Sequence, residues 1–207
     1  MDERDRLWEY QAHSSPTWVF QLPEVVAWLD SPALASNTIW LSATTGFGKS
    51  AIASYLSKEL VVKFPSAVVT YFFCRDKEAL RHPHQIVRVI LSELCSASSA
   101  ASETAQQIWK TDMSMRDLSA DTFNKLLIPT LQALDLQRTS RVFIIIDGLN
   151  ELPKESLSRI LKLLQQFQSL HQRSDMPSLR ILLASQPIGT RQNELCDVMK
   201  VPLPATT

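Results

Sequence analysis

The chain has 207 residues, 45% hydrophobic and 20% charged, which provides for a packed core and excludes global disorder. Lys plus Arg and Asp plus Glu both number 21, a balance that argues against a nucleic-acid binder, which needs surplus cations to displace counterions, and against a polybasic membrane anchor. Apolar runs such as Val142 to Ile146 are too short to span a bilayer, no apolar stretch follows the charged start Met1 to Arg6, and Cys74, Cys95 and Cys196 form no C-x-x-C pair; the expectation is a cytoplasmic chain with no membrane span, secretory signal, disulfide scaffold or zinc ribbon.

Glycine occurs only at Gly46, Gly48, Gly148 and Gly189, so each is expected where backbone geometry demands it. In chain order, Thr38 to Ser42 reads as a buried strand, and Gly46 and Gly48 follow at once. Ser50 to Phe64 carries Ile52, Leu56 and Leu60 at helical spacing and stops at Pro65. Ala67 to Phe73 is a second strand, with Arg75 and Asp76 beyond its end. Pro83 opens a helix whose apolar face is Ile86, Val87, Ile90, Leu91 and Leu94. The Ser/Ala run Ser96 to Ser102 reads as a loop, and Glu103 to Lys110 as a short helix. After a polar loop with Met113 and Met115, another helix carries Phe123, Leu126, Leu127, Leu131 and Leu134, with a kink expected at Pro129.

Val142 to Ile146 is apolar on both faces, which suits a strand covered on both sides, and Gly148 lies just past it. Pro153 starts a long helix with Leu157, Ile160, Leu161, Leu164 and Phe167 on one stripe, and His171 to Pro177 is a linker. Leu179 to Ala184 is a further strand, with Gly189 after its end; Arg191 to Lys200 reads as a short helix, and Val201 to Leu203 begins a fifth strand. The alternation predicts a three-layer α/β fold with a mainly parallel five-stranded sheet flanked by helices. Glycines then follow the C-terminal ends of three strands, the edge where open α/β sheets bind ligands.

Ala43-Thr44-Thr45-Gly46-Phe47-Gly48-Lys49-Ser50 lies between a strand and a helix, the context of a phosphate-binding loop. Successive backbone N–H groups of such a loop and of the helix start cradle anionic oxygens. Lys49 is placed to neutralise β and γ phosphates, and the Ser50 hydroxyl to ligate Mg²⁺. Ala43 stands where the consensus has glycine. The next apolar strand ends in Asp147, expected at the same sheet edge as a Mg²⁺ ligand, directly or through water. Glu151 is either a general base that polarises the attacking water or a solvated acid at the helix start ahead of Pro153. Cys74 with His82 and His84 matches no metal-site spacing. Trp40 reads as core.

Thr17-Trp18, Trp28-Leu29 and Ile39-Trp40-Leu41-Ser42, leading into the phosphate loop, resemble the NACHT NTPase domains of fungal NOD-like receptors and the similar nephrocystin-type N-terminal NTPase region. Tyr71-Phe72-Phe73 resembles the family's aromatic second strand, Ile144 to Glu151 its Walker B segment, and Leu182 to Pro187 the place of its T-S-R-P sensor. The resemblance implies a signal-transduction P-loop NTPase that binds ATP or GTP with Mg²⁺ and switches between a closed monomer and an oligomer. Residues 16–207 would form this domain behind an N-terminal extension, 1–15, and stop before any winged-helix or repeat region. Gln186 falls at the sensor arginine and Asn150 at an acidic Walker B position, so hydrolysis is expected to be slow. The alternatives are a degenerate module that holds nucleotide or protein partners without turnover and, last, a P-loop kinase, for which no second-substrate site or Arg-rich lid is visible.

Overall fold

The computed structural model describes residues 16–30, 37–74, 83–111, 120–136, 139, 141–170, 173, 175–189, 195 and 198–202. The extension 1–15, Arg75, Asp76, His82, Met113, Met115, Arg191 and Leu203 lie outside them. Five strands form one sheet: β1 (Thr38–Ser42), β2 (Val68–Phe73), β3 (Arg141–Asp147), β4 (Ser178–Ser185) and β5 (Val198–Pro202). Six α-helices are described: α1 (Pro23–Asp30), α2 (Lys49–Lys63), α3 (Pro83–Ala97), α4 (Ser99–Thr111), α5 (Ala120–Gln132) and α6 (Lys154–Leu170). Short 3-10 turns occupy Thr17–Gln21 and Leu149–Glu151.

Every pairing in the sheet is parallel, and the order is β2-β3-β4-β1-β5. The α/β expectation therefore holds, with β4 inserted between the strands that precede the phosphate loop and end in Asp147. Residues of β3 alternate between two apolar layers. Ile144 and Ile146 face a cluster built from α3, α5 and α6, including Ile90, Leu131 and Leu164. Phe143 and Ile145 face a second cluster from α1 and α2, including Trp28, Leu56 and Leu60. This explains why Val142 to Ile146 reads as apolar throughout: both faces are covered.

The first turns of α2 run deep. Ala51 to Ser57 are all buried, and the small residues Ala51, Ala53, Ser54 and Ser57 let the helix lie close on the sheet. Trp28 donates its indole N–H to the Asn37 carbonyl at 2.9 Å and meets Phe143 edge-on at 5.5 Å, so a buried ring has both its polar handle and its apolar face satisfied. Trp40 is core, as its place in β1 predicts, at 1% exposure.

Two expectations need correction. Ser96 to Ser102 is not a loop: α3 runs to Ala97, and α4 begins at Ser99. Ser98 alone breaks the helix, and its hydroxyl accepts the Ala101 N–H at 3.3 Å, the work of an N-cap. The helix expected over Arg191 to Lys200 gives way to strand at Val198, because Val198 to Pro202 pair with Thr38 to Ser42. At Pro129 the helix continues.

Candidate nucleotide site

β1 delivers the chain at Ser42, and the loop from Ala43 to Gly48 leads into α2. Gly46 and Gly48 have φ of +87° and +69°, a left-handed backbone that side chains with a Cβ disfavour. A Cβ at either would meet nothing within 4 Å, so these glycines serve the bend of the loop and leave open space above it. Thr44 and Thr45 are exposed, and Ala43 and Phe47 are half-buried. No side chain caps the start of α2. Its first main-chain hydrogen bond runs from Ile52 N–H to Gly48 O at 2.9 Å, so the helix amides before it have no intrahelical partner. Uncapped amides and the positive end of the helix dipole make an anion receptor.

Lys49 folds back over this loop and donates from Nζ to the Thr44 carbonyl at 2.6 Å. Partial burial lowers its pKa, and the negative charge of Asp147 opposes that shift. The loop thus holds its cation in place with one of its own carbonyls.

Asp147 ends β3 at 2% exposure. β4 separates β3 from β1, yet the Ser50 hydroxyl donates to the Asp147 carboxylate. Oδ2 of Asp147 is buried and has no hydrogen-bond partner. Burial pushes this carboxyl up to about 6; the Ser50 hydrogen bond opposes the rise, the Glu151 charge adds to it, and the Lys49 charge opposes it. A bare carboxylate oxygen beside a hydroxyl is the donor chemistry of a hard cation. Among the described residues no cluster of three or more His, Cys, Asp or Glu could hold a metal by protein ligands alone. Mg²⁺ takes few protein ligands and fills its shell with water and phosphate oxygens, so this donor set fits it.

The strand end is fixed from both sides. Cys74 N–H donates to Asp147 O, and Gly148 N–H to Ala184 O, both at 2.7 Å. Gly148 has φ +82°, and a Cβ there would lie 2.5 Å from the Cys74 carbonyl oxygen. Burial, then the charges of Asp147 and Glu151, push the Cys74 thiol far up. Burial thus favours its neutral thiol form. Glu151 is exposed in the turn after Gly148.

Two contacts escape a reading of the sequence. Asn150 Oδ1 accepts the main-chain N–H of Gln186 at 2.9 Å, tying the turn after β3 to the end of β4. Trp40 donates its indole N–H to Ser185 Oγ at 2.9 Å, tying β1 to the same end. The signal for the first is Asn150 itself, a neutral side chain inside an acidic motif.

Among the described residues no helix is long and apolar enough to cross a membrane. No curated protein matches the sequence. Among solved structures, C. elegans PCH-2 is similar at 15% identity with a TM-score of 0.43, over 99% of this chain and 47% of that one. The chain therefore spans about half the length of that protein. The family model described as Nephrocystin 3, N-terminal matches residues 14–186, from ahead of the first turn through the phosphate loop and Asp147 to the end of β4. This P-loop NTPase-like α/β chain belongs to the nephrocystin-3 N-terminal family.

Proposed function

We propose that the chain is the nucleotide-binding module of a signal-transduction NTPase, of the NACHT kind found in fungal NOD-like receptors, working as a nucleotide-dependent switch with slow hydrolysis. The observation that carries this reading is the buried, half-satisfied carboxylate of Asp147 against Ser50, at the foot of an uncapped helix start that also holds Lys49. Amides from Thr44 to Ser50 bind the phosphates of ATP or GTP, and Lys49 exchanges the Thr44 carbonyl for a phosphate oxygen. Ser50 and Asp147 hold Mg²⁺, which when bound neutralises the phosphate charge. Glu151, exposed and near enough for its charge to act on Asp147, takes the proton of the attacking water. At the end of β4, Gln186 offers a neutral donor where the family has an arginine, and a neutral bond stabilises developing charge about half as well. Self-association and contacts with other domains of a larger cytoplasmic receptor follow from the same reading.

The alternative, a module that binds without turnover, draws on the engagement of Asn150 by Gln186 N–H. One titration series separates the readings: labelled ATP and GTP, with and without Mg²⁺, followed by single-turnover hydrolysis. Lys49→Ala should weaken triphosphate binding about tenfold or more, the loss of one charge-assisted contact. Glu151→Gln should leave binding intact and slow hydrolysis. Equal affinity in the wild type and Lys49→Ala would remove the phosphate loop from the account, and wild-type hydrolysis no faster than that of Glu151→Gln would favour the module without turnover.

A further inference from the structure

Asn150 stands at a motif position where a negative charge is expected, yet the main chain puts it to another use. Asp147 pairs with Ala184, and Gly148 N–H donates to Ala184 O. One step further along such a parallel ladder, the Gln186 N–H would bond the Gly148 carbonyl. That carbonyl is engaged elsewhere. The chain turns away at Gly148, with φ +82°, and Gly148 O accepts the Glu151 N–H at 2.9 Å. Asn150 Oδ1 takes its place and accepts the Gln186 N–H at 2.9 Å. The Gln186 carbonyl is held in a similar way. Ser185 Oγ donates to it at 2.8 Å and accepts the Trp40 indole N–H from β1 at 2.9 Å. Both main-chain groups of Gln186 are thus fixed by side chains where β4 itself has ended. One brace comes from a turn rooted in the core by buried Leu149, the other from β1.

The place so fixed is specific. β4 lies between β3 and β1. Ser185 pairs with Ser42, so Gln186 follows level with Ala43, the first residue of the phosphate loop. On its other side is the strand that ends in Asp147. Gln186 is half-buried, and its side-chain amide has no hydrogen-bond partner among the described residues. We propose that Asn150 is a positioning residue: through the Gln186 main chain, together with Ser185 and Trp40, it sets how strongly the site prefers a nucleoside triphosphate to the diphosphate. The proposal rests on the nucleotide reading above. A single neutral donor discriminates only if it is held within about 0.5 Å of its working position, and the glutamine side chain is long. A main chain braced on both sides removes the backbone share of that freedom. Asparagine suits the brace better than aspartate. Either would accept the N–H, but a carboxylate would add a charge near Asp147 and Glu151 and repel the phosphates.

Titration with a labelled non-hydrolysable ATP analogue and labelled ADP, both with Mg²⁺, tests it, with urea unfolding of each variant alongside. The wild type should prefer the triphosphate. Asn150→Ala should bind ADP as wild type does and lose roughly two- to tenfold of that preference, the worth of one neutral hydrogen bond. Ser185→Ala removes the bond to the Gln186 carbonyl and the acceptor for Trp40, and should shift the ratio in the same direction. It decides the matter if Asn150→Ala does not fold. Gln186→Ala should lose the preference on its own, and adding Asn150→Ala to it should change the ratio no further, because the two act as one unit. A ratio that Asn150→Ala leaves at the wild-type value overturns the proposal. So does an equal loss of both nucleotides, the mark of a purely structural part. A further loss in the Gln186→Ala background also overturns it, because Asn150 would then act on the ligand directly. Lys49→Ala separates this outcome from the nucleotide reading. If it weakens both nucleotides while Asn150→Ala leaves the ratio unchanged, only the brace fails. If Lys49→Ala binds both as wild type does, the nucleotide reading fails and the brace with it.

Discussion

Asp147 keeps its charge where water reaches it least. Its folded pKa is raised from 3.8 to about 6, so between about pH 4 and 6 the native state holds a proton that the unfolded chain gives up. The contribution of this group to stability is therefore complete below about pH 4 and lost as the pH climbs through 6. Two pKa units correspond to about 3 kcal/mol as an upper figure. In protein free of nucleotide and metal, Asp147→Asn should be more stable than wild type at pH 7.5 by on the order of 1–3 kcal/mol, and the gain should shrink towards pH 4. Urea unfolding at the two pH values measures it. A gain of equal size at both would mean that the carboxylate is not desolvated. The place of this residue was legible in the sequence as an acid at a strand end. Its cost to the apo fold was not, because desolvation depends on β4 and α2 closing over it.

The elements themselves read well where the signal is local. β1 spans Thr38–Ser42 as expected, and α2, α3 and α6 differ from expectation by a few residues at their ends. The misses have one kind of cause. Ser98 looks like loop composition until its hydroxyl is seen to cap α4, since serine favours both settings. Val198 to Lys200 look helical until β1 claims them as a strand partner, a contact invisible to any short window. Asn150 reads as a lost charge, but its amide oxygen latches two strand ends. The close approach of the chain just past the ends of β2 and β3 yields a sharper prediction. At Gly148 an added methyl meets a carbonyl of the neighbouring chain segment, whereas at Gly46 it meets nothing. Gly46→Ala should cost about 1–2 kcal/mol, for the left-handed backbone alone. Gly148→Ala should cost about 3 kcal/mol or more, because backbone must shift. Chemical denaturation midpoints of the two variants decide it; equal losses would mean that the close approach to Cys74 is relieved at no expense.

At the scale of the molecule, alternation of strand and helix announces a parallel sheet, and glycines past the strand ends announce which edge carries the candidate site. Strand order is another matter. Nothing in the composition of Leu179 to Ala184 says that it lies between β1 and β3, where it brings Ser185 under Trp40 and Gln186 beside Asn150. That insertion also shapes how the chain comes to be folded during its synthesis. β2 and β3 can pair as soon as β3 is made, but the described partners of β1 are β4 and β5, the last two strands of the order. At ~5–20 residues per second, β1 waits on the order of ten seconds for a neighbour after it leaves the ribosome. For that interval Ile39, Trp40 and Leu41, all buried in the finished sheet, have no ladder to join, and the phosphate loop hangs from an unanchored strand. The nascent chain is thus exposed to chaperones and to mispairing from the time β1 emerges until β4 is made.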